Sequence, residues 1–498
     1  MKHSGGALLS SISINRASKK KISTQVFMGI RDIILSEGLK AGERLPASRT
    51  LAIELRVSRT TVIDALERLI SEGLLEARSG AGTFVSDVMQ EDRPFLQNTH
   101  LQLGDDNNKE HPVKLSNGIE KALPGLIARD HLPKEPHCFI TGLPALDEFP
   151  MSQWLRLSSK NLRGERSNIM GYGQPCGLQR LRSAIASHIN ASRGILCDPQ
   201  QIFITGGAQH AFQLISNMLL NSNDKVWIEN PSAIGARNSL IANGATLIPI
   251  NVDKDGIIVS EGLKQAPNFK LAFVTPSHQQ PLSVVMSLKR RFALLVAAED
   301  ADAWIIEDDY DSEFHFEGQP VPTLKSVDTN DRVIYVGTFS KSLFPSLRIG
   351  FIISPLGLVD PFEQIFNSFQ SGVPTHSQSV ISDFMDEGYF ATHIRRMRNI
   401  YAERYHALRD LSELYLSEHL DIQPTQSGLH TVGFLKKDTN EVGLSLALNK
   451  KGVSALPLSR YCLKKIEKQG FTLGFGAVNP DQIKSSILVM ADTFNELV

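Results

Sequence analysis

Four short motifs in the second half of the chain carry side chains that could do chemistry together. Gly207 follows the apolar run QIFIT, His278 follows LAFVTP, Asp308 and Tyr310 follow AWIIE, and Lys341 follows RVIYVGTFS. A glycine turn that opens a helix presents backbone N–H groups to a phosphate. A lysine amine can form a Schiff base with an aldehyde. The motifs therefore predict a site for a ligand that carries both a phosphate and an aldehyde.

The neighbouring polar groups narrow that ligand further. Asp308 emerges from an apolar run and is suited to pair with a protonated aromatic ring nitrogen, while Tyr310 and His278 could hydrogen-bond a ring hydroxyl. The phosphate would be held by Gly207, Ala208, Gln209, Thr338, Ser340 and Arg348. Each residue alone is more often a turn residue or a solvated charge. Together they describe a site for pyridoxal 5′-phosphate (PLP), with Lys341 as the Schiff-base partner.

The elements that must position these residues alternate along the chain from Phe139 onward. Short β-branched runs, each ending in Gly, Pro, Ser or Asp, are separated by helical stretches: QIFITGG, KVWIENP, ATLIPI, LAFVTP, AWIIEDD and RVIYVGTFS. This alternation predicts an α/β fold with a mainly parallel central sheet covered by helices. Function in such sheets gathers at the carboxyl ends of the strands, where the four motifs lie.

The segment from Ser23 to Val85 has a different pattern. Its apolar spacing predicts three short helices, with Ser23, Ser48 and Ser58 as N-caps and Gly38 closing the first helix. A turn of two or three residues between the second and third helices indicates a helix-turn-helix. The sequence LLEARSGAGTFV then predicts a small hairpin, or wing. An alternative remains open, in which the SRTT sequence merely caps a helix of an ordinary bundle.

The exposed start of the third helix carries residue types that suit DNA. Hydroxyls and a helix N-terminus suit phosphate oxygens, and Arg59 can reach guanine bidentately or clamp a phosphate. Between residues 16 and 85 there are twelve Lys or Arg against eight Asp or Glu, whereas the whole chain has 52 against 53. The predicted helix-turn-helix is thus mildly basic on a neutral protein.

Length and composition bound the organisation of the chain. The 498 residues exceed one compact core and predict a flexible N-terminus at 1–20, a winged helix-turn-helix at 21–88, a linker at 89–136 and an effector domain at 137–498. The four cysteines form no C-x-x-C pair, so neither a metal site nor a disulfide framework is expected. No apolar run suggests a signal peptide or a membrane span. We expect a cytoplasmic protein.

Both halves resemble known families on the motifs quoted above. The string RLPASRTLAIELRVSRTTVIDALERLISEGLLEARSGAGTFV resembles the winged helix-turn-helix of GntR-type regulators, and the motifs ITGGAQHAF, TPSHQQP, IIEDDYDSEF and YVGTFSKSLFPSLRIGF resemble fold type I aminotransferases. The chain as a whole resembles the MocR-type transcriptional regulators. The resemblance implies a homodimer, commonly head-to-tail, in which Tyr172 reaches the partner's cofactor. It also implies DNA contacts from Arg49, Ser58, Arg59, Thr60, Thr61, Ser79 and Gly80.

Three departures from the aminotransferase pattern stand out. Ala233 occupies a position where related proteins usually carry an aromatic residue, and Leu282 with Ser283 replaces a usual Thr-Gly pair. Thr472 stands where an Arg usually clasps the substrate carboxylate. Arg237 or Arg460 could substitute for that Arg.

Three functions are compatible with these observations. The first is a regulator in which a small amine, an amino acid or PLP itself is sensed and changes operator binding. The second is an active PLP-dependent aminotransferase that also binds DNA, which the departures disfavour. The third is a binding module without cofactor, in which Lys341 and Asp308 would be idle. The fused winged helix favours the regulator, with at most a transamination half-reaction.

Overall fold

A computed structural model describes residues 12–18, 20–36, 38–86, 114–128, 137–164, 169–369 and 372–497. The chain divides into two compact units, Met1–Pro112 and Val113–Val498.

The first unit contains three helices followed by a hairpin. The helices are α1 (Ile22–Leu35), α2 (Ser48–Glu54) and α3 (Arg59–Ser71), and the strands are β1 (Leu75–Arg78) and β2 (Gly82–Val85). Ser58 caps α3 by accepting a hydrogen bond from the Thr61 backbone N–H at 3.1 Å. The strands pair antiparallel, and Gly80 in their turn has a φ of +74°. The predicted helices and wing are therefore present.

Several local predictions in this unit are wrong. Ser23 does not cap α1, because the helix begins one residue earlier at Ile22 and Lys21 precedes it without a side-chain cap. Ser48 is the first helical residue of α2, after Ala47. The prediction for Gly38 is correct, because its N–H donates to the carbonyl of Ile33 at 2.9 Å and so closes the C-terminus of α1. Four residues, 55–58, separate α2 from α3.

Part of the expected flexible N-terminus is ordered against this unit. Ile12 and Ile14 pack on its apolar core, and Ile12 touches Gly29 so closely that a Cβ there would overlap it. The backbone N–H of Asn15 donates to the side chain of Gln25 at 2.9 Å. Residues 12–18 are held because their two isoleucines extend the core of α1.

The second unit is built around an eight-stranded sheet. Its strands are β3 (Ile202–Thr205), β4 (Lys225–Asn230), β5 (Thr246–Asp253), β6 (Gly256–Ile257), β7 (Leu271–Val274), β8 (Trp304–Asp309), β9 (Val333–Thr338) and β10 (Gly350–Ile353). Their order is β3-β10-β9-β8-β7-β4-β5-β6, with β4, β5, β7, β8 and β9 parallel and β10 antiparallel to both its neighbours. All six predicted strands lie in this sheet.

Helices cover the sheet, and a smaller antiparallel sheet follows it. The helices are α4 (Asn117–Ala122), α5 (Met151–Leu162), α6 (Gln179–Arg193), α7 (Ala208–Leu219), α8 (Ile234–Ala242), α9 (Val259–Gln265), α10 (Leu288–Asp300), α11 (Leu324–Val327), α12 (Phe339–Ser342), α13 (Val359–Phe369), α14 (Thr375–Asp386), α15 (Tyr389–Leu416), α16 (Glu441–Lys450) and α17 (Pro480–Leu497). The small sheet has the order β11-β12-β14-β13 and consists of β11 (Leu420–Ile422), β12 (His430–Leu435), β13 (Leu456–Pro457) and β14 (Gly470–Gly474).

Both faces of the large sheet are buried, which explains its continuous apolar runs. In β4, Val226 and Ile228 join one core cluster, whereas Trp227 between them joins the cluster on the opposite face. Successive strand residues point to opposite faces. A strand buried on both sides is therefore apolar along most of its length, and in β4 the polar residues Glu229 and Asn230 come at the carboxyl end. This burial fixes the strand ends where the predicted site residues begin.

Part of the predicted linker is structured. Residues 114–128 belong to the second unit, form α4 and lie against α8. Ser116 caps α4, and the side chain of Asn238 bonds the backbone of Ile127 at both its N–H and its carbonyl. The absence of sustained apolar periodicity suggested a linker throughout 89–136, but backbone hydrogen bonds hold this stretch. The remaining linker residues, 89–113 and 129–136, lie outside the described residues.

Candidate cofactor site and DNA-binding surface

The carboxyl ends of β8 and β9 and the start of α7 surround a cavity of about 890 Å³. Eight of the predicted cofactor residues line it, namely Ala208, Gln209, Asp308, Tyr310, Thr338, Ser340, Lys341 and Arg348. Gly207 immediately precedes Ala208, and His278 lies behind Tyr310. Tyr172 is outside the cavity and 99% exposed.

The start of α7 forms a cup for an anion. Gly207 precedes the helix with a φ of +94°, and no side chain caps the first turn. Arg348 lies beside it, since a Cβ on Gly207 would stand 3.6 Å from the guanidinium carbon. A helix N-terminus and a guanidinium both favour negative charge. The Gln209 side chain is used differently, because its Nε2 donates to the Gly235 carbonyl at 2.8 Å and links α7 to α8.

Asp308 provides the test of whether the cavity fits PLP. Its side chain is buried, and its Oδ1 has no hydrogen-bond partner. Burial raises the pKa of Asp308 well above its ordinary value; the carboxylates of Asp309 and Asp311 raise it further, and Lys341 lowers it. A buried acceptor without a partner is costly. A protonated ring nitrogen would supply the missing donor and charge, so the residues fit PLP.

Tyr310 is held by a buried network behind the cavity. Its hydroxyl donates to the carbonyl of His278 at 3.0 Å and lies 3.1 Å from Nδ1 of the same residue. That Nδ1 lies 3.0 Å from both carboxylate oxygens of Asp311, which can only accept from it. Burial raises the pKa of Tyr310 well above its ordinary value, so the hydroxyl stays protonated. His278 therefore orients Tyr310 and does not itself line the cavity.

His430 also lines the cavity, and sequence reasoning missed it. Its ring lies 6.3 Å from the Tyr310 ring at an interplanar angle of 26°. Burial lowers the pKa of His430 well below its ordinary value, so the ring is neutral. The sequence signal that could have identified His430 is its place directly before the apolar run TVGFL and two residues after Gly428. In the structure, Gly428 has a φ of +85°.

His278, Asp311 and His430 are close enough to be considered for a cation. One ligand atom from each lies within 4.8 Å of the others, and all three residues are buried. Asp311 is already engaged, because it accepts from Nδ1 of His278 and from the Leu429 N–H at 3.3 Å. The geometry is that of a hydrogen-bonded support for Tyr310.

Lys341 lies in the short helix α12 directly after β9, so the strand end fixes its position. Its Nζ donates to the carbonyl of Gly142, which lies in the segment ITGLP. A Cβ on Gly142 would stand 2.9 Å from Nζ, and the φ of this residue is +84°. The lysine therefore needs a residue without a side chain at this place.

The structure locates the residues at which the chain departs from the aminotransferase pattern. Ala233 lines the cavity, whereas Arg237, Arg460 and Thr472 do not. Leu282 and Ser283 take part in local hydrogen bonds: the Leu282 N–H donates to Oε1 of Gln279, and the Ser283 hydroxyl donates to the His430 carbonyl. The second departure is thus part of the framework beneath the site.

The predicted DNA-contacting residues lie on α2, at the N-terminal end of α3 and at the tip of the wing. Arg49, Ser58, Arg59 and Thr60 are exposed at the helix-turn-helix, Thr61 is half-buried, and Ser79 and Gly80 are exposed at the wing tip. The hydroxyl of Ser58 lies within 2.8 Å of those of Thr60 and Thr61. Nε of Arg59 donates to the Ser48 hydroxyl at 3.4 Å. These contacts tie the start of α3 to α2 and leave the Arg59 guanidinium at the surface.

Comparison with known proteins decides the family. The model for bacterial regulatory proteins of the gntR family matches residues 22–85, and the model for aminotransferase class I and II matches residues 144–468. Over 481 residues the chain is 37% identical to the "Probable rhizopine catabolism regulatory protein MocR" of Rhizobium meliloti, covering 97% of this chain and 95% of that protein. The chain belongs to the MocR-type transcriptional regulators.

Two further similarities support this MocR-type architecture. The "HTH-type pyridoxine biosynthesis transcriptional regulator PdxR" of Corynebacterium glutamicum is 27% identical, covering 97% of this chain and 98% of that protein. The crystal structure of Pyrococcus horikoshii kynurenine aminotransferase has a TM-score of 0.68 at 26% identity, covering 77% of this chain and 95% of that chain. The predicted fold class, a winged helix-turn-helix with a fold type I aminotransferase-like domain, is confirmed.

The function class follows from the same matches. The MocR-type chain is a transcriptional regulator and not an aminotransferase, it binds operator DNA as GntR-type regulators do, and its aminotransferase-like domain binds PLP. When bound, PLP supplies an aldehyde that reacts with primary amines and a ring that withdraws electrons. None of the described helices is long and apolar enough to span a bilayer.

Proposed function

We propose that this regulator senses a small amine, an amino acid or PLP itself in the cavity and that occupancy changes its binding to operator DNA. The observation that carries the proposal is Asp308. Its buried, unpartnered carboxylate oxygen belongs to a cavity that also holds Lys341 and Arg348. A chain with a winged helix-turn-helix has no structural need of such a costly group, whereas a cofactor-dependent sensor does.

The proposed cofactor roles follow the geometry. Lys341 would attach the aldehyde, Asp308 would pair with the ring nitrogen, and Tyr310 supported by His278 would meet the ring hydroxyl. The phosphate would be held by Gly207, Ala208, Gln209, Ser340 and Arg348, with Gln209 contributing its backbone because its side chain bonds to α8.

The proposed DNA contacts come from α2, from the exposed N-terminal end of α3 and from the wing. Arg59 and Arg49 would provide the charged contacts, and Ser58 would combine its capping role with a contact to a phosphate. The other contacts would come from Thr60, Thr61, Ser79 and Gly80. The head would extend over 21–88, and the connector over 89–136, with residues 114–128 held by the effector domain.

Regulation by a ligand requires two conformations of the protein that bind this ligand with different affinities. We propose a head-to-tail homodimer in the cytoplasm, in which occupancy of the cavity shifts the balance between two arrangements of the paired heads. Exposed apolar side chains support such an interface: Leu155, which lines the cavity, is 58% exposed, and Met170 and Tyr172 are 79% and 99% exposed. Tyr172 would then reach the partner's cofactor.

The test uses the purified full-length protein. Absorbance spectra are recorded with PLP, before and after borohydride, and then with a panel of amines and amino acids. Affinity for a duplex selected by the protein from a random pool is measured with each ligand. The expected result is a PLP band, attachment fixed on Lys341 by peptide mass analysis, and a changed duplex affinity with the ligand that shifts the band. Failure to retain PLP, or unchanged affinity with every such ligand, would overturn the proposal.

A further inference from the structure

The cavity has few positive charges to offer a ligand. Among the described residues that line it, the cationic side chains are Lys341 and Arg348. Both have places in the proposed cofactor site, Lys341 at the aldehyde and Arg348 beside Gly207 at the phosphate. A ligand carboxylate would therefore need a further guanidinium or ammonium group.

Sequence analysis suggested three positions for a cation that binds a ligand carboxylate, and none of them lines the cavity. Thr472 lies in β14, fully buried, and does not reach the cavity. Nη1 of Arg237 donates to the carbonyl of Cys462 at 3.3 Å, and Nη2 of Arg460 donates to the carbonyl of Ala128 at 3.0 Å. Each guanidinium therefore donates to a backbone carbonyl, and neither side chain lines the cavity.

The wall offers neutral hydrogen-bonding groups, a carboxylate and aromatic surface. The neutral groups belong to Thr141, Ser158, Gln280 and Tyr461, and the aromatic surface to Phe149, Trp154 and Phe344. Burial raises the pKa of Tyr461, so its hydroxyl remains protonated. The carboxylate of Asp311 also lines the cavity.

These groups discriminate between ligand classes. A carboxylate placed against this wall would lose its hydration and meet the like charge of Asp311. A hydroxyl or an aromatic ring would instead find donors, acceptors and apolar surface.

We infer that the ligand sensed here is a primary amine with a neutral body that bears hydroxyl or ring groups, and not an α-amino acid. This inference rests on the proposed function and selects one class from it. The amine would meet PLP at the Lys341 end of the cavity, and the neutral body would lie against the wall of Tyr461, Gln280 and the aromatic residues. Amines would be preferred over amino acids because a ligand carboxylate would add a second negative charge beside that of Asp311.

The test compares matched ligands on the full-length, PLP-loaded protein. The pairs are ethanolamine with glycine and 2-phenylethylamine with phenylalanine, and the measured quantity is the ligand concentration, expressed as free base, that shifts half of the absorbance. We expect the carboxylate-free member of each pair to act at a concentration at least about tenfold lower. An amino acid that acts at an equal or lower concentration would overturn the inference.

Two variants test whether an arginine outside the cavity lining binds the carboxylate of an amino acid. Arg237→Gln and Arg460→Gln each keep a donor for the carbonyl and remove the charge. We expect the ratio between the members of each pair to stay unchanged in both variants. A selective loss of amino-acid binding in either variant would identify a carboxylate clamp and refute the inference. Absence of any PLP band would count against the proposed function itself, so the two failures are distinguishable.

Discussion

The side chain of Asn238 holds the backbone of Ile127 through two hydrogen bonds. Nδ2 donates to the carbonyl of Ile127 at 2.7 Å, and Oδ1 accepts from the Ile127 N–H at 3.0 Å. Asn238 lies on α8, whose first turn lines the cavity. The next residue, Ala128, is bonded by Arg460, which neighbours the cavity residue Tyr461. This part of the connector is therefore attached to two elements that bound the cavity.

Replacing Asn238 should release this attachment. Asn238→Ala removes both hydrogen bonds and should lower the free energy of unfolding by about 1–2 kcal/mol. Asn238→Asp keeps the acceptor but places a carboxylate oxygen against the Ile127 carbonyl, so it should lower the free energy of unfolding at least as much. Limited proteolysis should cut within residues 114–128 faster in both variants than in wild type, with the PLP spectrum unchanged. Equal cleavage rates in all three proteins would mean that this bond does not hold the connector.

Replacing Lys341 should abolish covalent cofactor attachment and leave the fold intact. Lys341→Ala removes the only atom of this residue that can bond the aldehyde, so borohydride treatment should leave no cofactor on the protein. Circular dichroism checks the fold. Lys160→Ala, at an exposed lysine on α5 that pairs with Glu387, is the matched control and should attach PLP as wild type does. Persistent attachment in Lys341→Ala would place the reactive lysine elsewhere.

Replacing Arg59 should weaken DNA binding without affecting the cofactor. A contact to a base or a phosphate from one Arg is worth about 1–3 kcal/mol, so Arg59→Ala should reduce affinity for the selected duplex by about fivefold or more. Fluorescence anisotropy at fixed salt measures the change, and Lys451→Ala in the other unit serves as the control. If Arg59→Ala binds the duplex as tightly as the control, the exposed end of α3 is not the reading surface.

Glu229 should make the stability of the protein fall with rising pH. It is fully buried and accepts from the Thr275 N–H, the Thr275 hydroxyl and Nε2 of Gln279, yet its Oε1 has no partner. Burial raises the pKa of Glu229 to about 7 from its ordinary value of 4.5. Because the folded state holds this proton more tightly than the unfolded state, the contribution is complete below about pH 4.5 and is lost as the pH rises through about 7.

Glu229→Gln removes this titration and tests the sign. Relative to wild type, the variant should gain up to about 3 kcal/mol of unfolding free energy between pH 5 and pH 8. Urea unfolding of both proteins at pH 5, 6, 7 and 8 provides the measurement. A difference between variant and wild type that is the same at every pH would show that Glu229 does not titrate in this window.

Local patterns in the sequence sufficed for much of the fold. Ser58 caps α3 because the cap, the helix and the bonded N–H lie within four residues of one another. The six strand predictions succeeded because each rests on a short apolar, β-branched run, and most of these runs are buried on both faces. Gly207, Asp308 and Lys341 could be assigned to one site because each lies at, or within three residues after, the carboxyl end of a strand, and these strand ends meet at one edge of the sheet. The N-caps at Ser23 and Ser48 were wrong because the two helices begin two residues and one residue earlier than those caps require, with Lys21 and Ala47 as the capping residues.

The sequence by itself determined the family, the cofactor and the residue types at the strand ends, because short motifs carry these properties. Only the tertiary structure decided which distant residues meet. Lys341 bonds Gly142 across 199 residues, and Asn238 holds Ile127 across 111. The structure also turned Arg237 and Arg460 away from the cavity and placed His430 in it. These outcomes depend on packing between separate elements, and spacing along the chain does not specify which backbone carbonyl a long side chain will reach.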